Sequence, residues 1–318
     1  MAIVGRPNVG KSTLLNRFLG QKIAIVSPKP ETTRDRLLGI LTLPEAQVLF
    51  LDTPGIYRRP QTLLGRHQVQ AAREALADAE VLLVMTEGHA GLTDEDRDIL
   101  RLLPKPVRRT EGPSGTSYQA PVFLAINKVD RVRKDLLLPQ IAEAKRLYPF
   151  REIFPISATK GDNVPELLRA VEAALPEGPA LYPADQVTDR PMRDLAQEIV
   201  REKALLFTHE EVPHAVAVLV EEWRQGQASE RSGPEGRTPK GEGTGTATVY
   251  IRVTLFVERD SQKGILIGKG GGLLKRIGQA ARQEIETLVG GPAFLDLWVK
   301  VAKNWRKDPQ MLKRLGYG

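Results

Sequence analysis

Short apolar runs punctuate the first half of the chain. Ala2–Val4, Val48–Leu51, Val122–Ile126 and Ile153–Ile156 each give way to glycine-rich or polar residues, as strands do where they reach a sheet edge. Behind the first run, Leu14, Leu15, Phe18 and Leu19 share one face at helical spacing, and an amphipathic helix is predicted over residues 164–174. Pro176, Gly178 and Pro179, and the Pro-rich polar stretch up to Pro191, read as a linker. A second pattern follows: a helix over residues 192–207, strands over 214–223 and 248–257, a helix with Leu273, Leu274, Ile277, Ala280, Ala281, Ile285 and Leu288 on its apolar side, and a strand over 294–301. Two polar stretches, residues 108–119 and 224–246, lack the apolar residues a core needs and read as insertions. The expected organisation is a mixed α/β domain over residues 1–176, with a mostly parallel sheet and helices on both faces. A linker over 177–191 and an α+β domain over 192–318 follow.

A length of 318 residues suffices for two separate cores. The first run has only four residues before the glycine-rich loop, against about 5–6 for a usual strand. The first strand is therefore expected to be either stunted or missing its start, which should weaken the domain rather than abolish it. The absence of cysteine excludes disulfides, thiolate metal sites and a thiol nucleophile, and it fits a reducing cytoplasm. The histidines His67, His89, His209 and His214 are scattered without metal-ligand spacing. No run has the length of a membrane span, and no signal-peptide pattern opens the chain.

The net charge of +7 changes the picture through its position. Residues 259–318 carry twelve Lys/Arg against five Asp/Glu, whereas residues 1–258 carry 34 of each. A basic end of this kind points to nucleic acid or an anionic membrane surface.

The chemistry sits where the apolar runs stop. Gly5-Arg6-Pro7-Asn8-Val9-Gly10-Lys11-Ser12 reads G-x-x-x-x-G-K-S between a strand and a helix, the setting of a phosphate-binding loop. Asn8, Val9, Gly10, Lys11, Ser12 and Thr13 are the candidate phosphate-site residues, with Lys11 on the terminal phosphates and the Ser12 hydroxyl on Mg²⁺. Asp52-Thr53-Pro54-Gly55 ends the second run. Asp52 suits a Mg²⁺ ligand, and the Gly55 N–H suits a γ-phosphate. Thr32-Thr33-Arg34 lies in a polar stretch between these motifs, and Thr33 is positioned to close over Mg²⁺ as a switch. Asn127-Lys128-Val129-Asp130 ends the third run. A carboxylate at Asp130 accepts from both N1–H and N2–H₂ of guanine, whereas adenine would leave it buried and unpaired at a cost of about 1–3 kcal/mol or more. Asn127 would brace the loops, the Lys128 stem would cover the base, and the Ala158 N–H of Ser157-Ala158 would meet guanine O6. Lys11, Thr33, Asp52 and Gly55 are the candidate catalytic residues. All of these motifs sit at predicted strand carboxyl ends, the edge at which open parallel sheets bind ligands.

In the second domain, Ile267-Gly268-Lys269-Gly270-Gly271 reads I-G-x-x-G between helical elements. Glycines there let a phosphodiester backbone approach closely, as in the KH clamp on about four nucleotides. Ile265, Ile267, Gly268, Lys269, Gly270, Gly271, Lys275 and Arg276 are the candidate RNA-binding residues, the two isoleucines serving either as groove floor or as core. The basic tail from Asn304 to Tyr317 reads either as a phosphate-contacting extension or as a solvated end.

The ordered motifs resemble those of the translation-factor-related P-loop GTPases, in which a hydrophobic residue such as Ile56 replaces the water-orienting glutamine of Ras-like proteins. The helix–strand–strand–helix–helix–strand order of the second domain resembles a prokaryotic, type II KH domain. One GTPase domain followed by one KH domain resembles the Era family over nearly the whole chain, with Thr32-Thr33-Arg34, Leu297-Trp298-Val299-Lys300-Val301 and Leu315-Gly316-Tyr317 also in its style. The clipped first strand and the two insertions depart from the family pattern.

The resemblance implies GTP hydrolysis with Mg²⁺, coupled to binding of small-subunit ribosomal RNA near its 3′ end during small-subunit assembly. It also implies a cytoplasmic protein that can associate peripherally with the inner membrane; a monomer is expected. It makes Asn8 a candidate K⁺ ligand. No other water-positioning residue is evident in the sequence, so slow intrinsic hydrolysis is expected. The alternative is an RNA-tethered scaffold or membrane-surface regulator with little turnover. A tRNA-modifying GTPase would carry a helical domain and a C-terminal cysteine, and a double-GTPase factor a second phosphate loop; the chain has none of these.

Overall fold

The computed structural model describes residues 1–29, 32–55, 63–89, 91–103, 120–225 and 248–317, with the side chain of Lys134 excepted. Most of the two polar stretches read as insertions lies outside the described residues, as does Ile56. Two compact units are present, spanning Met1–Asp189 and Arg190–Gly316.

The first unit runs β1 (Ala2–Gly5), α1 (Lys11–Leu19), β2 (Leu37–Thr42), β3 (Gln47–Asp52), α2 (Leu63–Asp78), β4 (Leu82–Glu87), α3 (Asp94–Leu102), β5 (Val122–Asn127), α4 (Leu137–Leu147), β6 (Glu152–Pro155) and α5 (Val164–Glu172). Among the described residues its strands form one sheet in the order β2-β3-β1-β4-β5-β6. β2 is antiparallel to β3, and the other pairings are parallel. All four residues of β1 are buried at the centre of the sheet, where Ala2, Ile3, Val4 and Gly5 pair with Leu82, Leu83, Val84 and Met85. Val4, Val84, Leu124 and Ile126 pack on one side with Ala72 and Ala75 of α2, Ile99 and Leu100 of α3, and Leu137 and Ala144 of α4. Phe18 of α1 stacks on Phe50 of β3 with ring centroids 4.9 Å apart. Gly39 of β2 makes that approach possible, since a Cβ there would lie 2.7 Å from the Leu15 side chain.

The Pro-rich stretch expected to be a linker is largely docked on this unit. Ile40 of β2 donates its N–H to Val187 O at 2.8 Å, and Thr188 Oγ1 donates to Leu38 O at 2.7 Å. The Gln47 amide oxygen accepts from the N–H groups of Leu181 and Tyr182 at 2.8 and 2.9 Å. β2 is an edge strand, and the extended chain supplies partners that an exposed edge would otherwise lack.

The second unit runs α6 (Met192–Phe207), α7 (Val212–Ala215), β7 (Ala217–Gln225), β8 (Val249–Val257), α8 (Asp260–Ile267), α9 (Gly272–Val289), β9 (Ala293–Val301) and α10 (Pro309–Arg314). β8 lies centrally, antiparallel to β7 and parallel to β9. Ala196, Val200 and Ala204 of α6, Leu266 of α8, and Ile277, Ala281 and Ile285 of α9 belong to one core with Val218, Val220, Ile251, Val253, Leu255 and Val299 of the strands.

The strand expected from residue 214 begins instead at Ala217. Pro213 in the first turn of α7 gives those residues a helical start. The basic tail is not simply a solvated end: Trp305 is fully buried and its indole N–H donates to Ala215 O at 2.8 Å, while Leu312 and Leu315 are also buried. Among the described residues no helix is long and apolar enough to cross a membrane. Trp305→Ala should destabilise the protein by about 3–5 kcal/mol through the cavity and the lost hydrogen bond, read as a shift in the urea unfolding midpoint of the second unit.

Candidate nucleotide and RNA sites

The turn from β1 into α1 requires two glycines for steric reasons. A Cβ on Gly5 would lie 2.5 Å from Met85 O. Gly10 has φ 103°, and a Cβ there would lie 2.3 Å from the Asn127 amide nitrogen. Lys11 opens α1 with its ammonium buried, donating to Gly5 O at 3.0 Å and Arg6 O at 3.1 Å. Thr13 lies half-buried in the same first turn.

Asp52, at the end of β3, is fully buried. Ser12 Oγ donates to Asp52 Oδ2 at 2.6 Å and lies 3.0 Å from Thr33 Oγ1. The structure thus gathers the three residues expected to hold Mg²⁺, and Asp52 Oδ1 has no hydrogen-bond partner. Two hydroxyls and a carboxylate make an oxygen-only donor set, which suits a hard cation. Burial pushes the Asp52 carboxyl up to about 6, opposed by Lys11 and the Ser12 bond. Burial likewise pushes Lys11 down to about 8, opposed by Asp52. Each charge is costly here, and the other offsets only part of the cost.

Gly55 packs on the phosphate loop so closely that a Cβ would meet the Pro7 ring at 2.6–2.7 Å. Asn8 takes a left-handed conformation, φ 64°, and its amide donates to Pro28 O at 3.0 Å, linking the phosphate loop to the segment that leads to Thr33. Asn16 of α1 fixes the start of that segment by accepting from Ile23 N and Ala24 N and donating to Ala24 O.

Asn127 ends β5, buried. Its Nδ2 donates to Val9 O at 2.8 Å, and its Oδ1 accepts the Ala158 N–H at 2.9 Å. Ala158 N–H, expected at guanine O6, is therefore spent on Asn127 in this structure. Lys128, φ 63°, donates to Asn8 O at 2.8 Å and also pairs with Glu87. Asp130 is exposed and accepts from Ser157 Oγ at 2.7 Å, and that bond holds its carboxyl below the usual range.

The sequence reading missed several supporting residues. Arg17 of α1 donates to the carbonyls of Ala158 and Thr159, bracing the base-side loop. Arg6 pairs with Glu87 at 2.6 Å and lies 3.4 Å from Asp96. Glu87 carried a signal close to that of Asp52, a carboxylate at the end of an apolar run, here residues 81–85 followed by Thr86. Burial alone would raise its pKa, yet hydrogen bonds from Lys128 and Arg6 hold it below the ordinary glutamate value.

In the second unit, α8 ends at Ile267 and the chain turns through glycines into α9. Gly268 has φ 73°, and a Cβ there would lie 2.8 Å from that of Leu273. Gly270 (φ 59°) and Gly271 (φ 76°) have nothing within 4 Å of a Cβ position, so their backbone faces open space. Lys269 and Lys275 are exposed beside them. Ile265 is 48% exposed, whereas Ile267 packs partly against the core, so Ile265 is the isoleucine free to meet a ligand. Arg276 rests on the Phe207 ring, 4.4 Å from its centroid, so its guanidinium is already engaged.

The parallel sheet with its phosphate loop, and the three-stranded unit with its glycine turn, define a P-loop GTPase joined to a KH domain. Family models agree: one described as 50S ribosome-binding GTPase matches residues 1–128, and one described as KH domain matches residues 237–306. GTPase Era of Geobacter metallireducens is 45% identical over 317 residues, covering all of this chain and 96% of that protein. GTPase Era of Heliobacterium modesticaldum is 42% identical over the same length, with 100% and 96% covered. A crystal structure of Era in complex with MgGDPNP and nucleotides 1506–1542 of 16S ribosomal RNA matches with a TM-score of 0.88 and 42% identity, covering 100% of this chain and 97% of that one. A single-substitution variant of Aquifex aeolicus Era bound to GDP·AlF₄⁻ matches with a TM-score of 0.86 and 41% identity, covering 100% and 98%. The chain belongs to the Era family of GTPases.

Gly10→Ala should lower GTP affinity at least tenfold, because the methyl would displace Asn127 and an L-residue at φ 103° is strained. Titration with a fluorescent GDP analogue measures this, and unchanged affinity would refute the steric account.

Proposed function

We propose that the protein is a GTP-hydrolysing switch that binds small-subunit ribosomal RNA near its 3′ end and acts in assembly of the small subunit. Lys11 and the amides of Asn8–Thr13 hold the phosphates. Ser12, Thr33 and Asp52 hold Mg²⁺, which neutralises phosphate charge. The Asp130 carboxylate selects guanine, with Lys128 over the base. The Thr33 segment and Gly55 respond to the γ-phosphate. Asn8, linked to Pro28, is the candidate K⁺ ligand beside the phosphates. The RNA-contacting surface is Ile265, Gly268, Lys269, Gly270, Gly271 and Lys275.

The observation that carries the RNA reading is the open backbone at Gly270 and Gly271, which any side chain would close. It stands beside an Era relative solved with a 16S ribosomal RNA segment.

Affinity for an oligonucleotide matching the 3′ end of small-subunit rRNA, measured with GDP and with a non-hydrolysable GTP analogue across salt, tests the switch. Tighter, sequence-dependent binding in the GTP-like state is expected, with a salt slope of a few phosphates. Equal affinity in both states would remove RNA binding from the switch. Gly270→Asp should weaken that RNA affinity at least tenfold while leaving GDP affinity intact; retained RNA binding would show that the clamp lies elsewhere.

A further inference from the structure

Glu87 closes β4 between the two loops that flank the nucleotide site, and its carboxylate is 6% exposed. One oxygen, Oε2, takes the Arg6 guanidinium of the phosphate loop at 2.6 Å. The other, Oε1, takes the ammonium of Lys128, from the loop assigned to the base. The backbone of Glu87 is held as well, since Gln140 Nε2 of α4 donates to Glu87 O at 3.1 Å. Arg6 is anchored from a second side by Asp96, whose side chain is fully buried. Asp96 in turn caps α3 by accepting from Thr93 N and Thr93 Oγ1 at 3.0 and 2.8 Å. Lys128 completes the ring by donating to Asn8 O, back on the phosphate loop. His89 Nε2 lies 3.7 Å from Glu87 Oε2 at the solvent side.

Neither Glu87 nor Asp96 belongs to the phosphate, Mg²⁺ or base contacts described above, yet both are buried carboxylates. Burial of a charge is costly unless it is paired and hydrogen-bonded, and Glu87 is paired with both Arg6 and Lys128. What this pairing does is geometric. A nucleoside diphosphate spans the phosphate loop and the base loop at once, and a carboxylate holding one cation from each fixes their separation before the ligand arrives. Preorganisation of that kind raises affinity by reducing the ordering cost of binding.

We propose that Glu87 is a positioning residue for guanine nucleotide, acting through Lys128 and Arg6 to lock the spacing of the phosphate and base subsites. The inference rests on the loop assignments made under the proposed function. The lock holds equally in the ground and transition states, so it sets nucleotide affinity and not the chemical step.

Steady-state GTPase kinetics and GDP dissociation rates for Glu87→Gln, alone and in a Lys128→Met background, test this. Glu87→Gln should raise KM for GTP about tenfold and speed GDP release by a similar factor, with kcat within twofold, because uniform binding is lost. Glu87→Asp keeps the charge but cannot span both cations; it should show a smaller rise, and it carries the test if the Gln variant does not fold. In the Lys128→Met background the Gln substitution should add less than threefold, since it acts through Lys128. Unchanged KM and GDP release in either folded variant would overturn the proposal. So would a fall in kcat at unchanged KM, or full additivity with Lys128→Met. Failure of the unmodified protein to bind guanine nucleotide would instead sink the loop assignments themselves.

Discussion

Asn127 sits buried at the end of β5, and its amide is used twice. The NH₂ end holds Val9 of the phosphate loop, and the carbonyl end holds the Ala158 N–H of the base-side loop. Three loops that leave different strands meet on this one side chain. Gly10 is glycine partly because the amide occupies the space where a Cβ would stand. A carboxylate could not donate, and a hydroxyl would have to do both from one rotating oxygen, whereas an amide presents the two functions at separate atoms on one plane. The rest of the nucleotide site is arranged around that bridge. Lys128, next in the chain, leans over to Asn8, and Asp130 meets Ser157.

Around this frame the site concentrates unfavourable electrostatics. Lys11 and Asp52 are both buried and both shifted toward neutrality, and Asp52 keeps one oxygen without a partner. Such a cost is expected where a protein must present charge to a ligand, because the low dielectric that penalises each buried charge also strengthens its contacts to phosphate and metal. The strands β4 and β5 are buried along their length, apolar until their carboxyl ends, where Thr86, Glu87 and Asn127 stand.

The second unit solves the opposite problem. At the turn proposed to meet RNA, Gly270 and Gly271 adopt left-handed conformations with no neighbour above them. Glycine is the residue that takes these positive φ values without strain, and here it also leaves the backbone open. Gly268 differs, since its missing Cβ makes room for Leu273 and so sets how α8 joins α9.

The nucleotide motifs were legible in the sequence because each is local: a run of β-forming residues, an abrupt stop, and a short polar signature whose chemistry follows from residue type. The same holds for the glycine turn and for the core faces of the long helices. By itself the sequence thus determined the class of ligand, the order of the domains and the residues that carry each motif. Only the tertiary structure decided how those groups are held. Arg6 and Glu87 stand 81 residues apart, Arg17 and Ala158 stand 141 apart, and the Pro-rich stretch returns to pair with an edge strand at Ile40. No periodicity records such partnerships. They arise when parallel strands bring their carboxyl ends to one edge, where a buried carboxylate or carbonyl must find whichever donor the topology sets beside it.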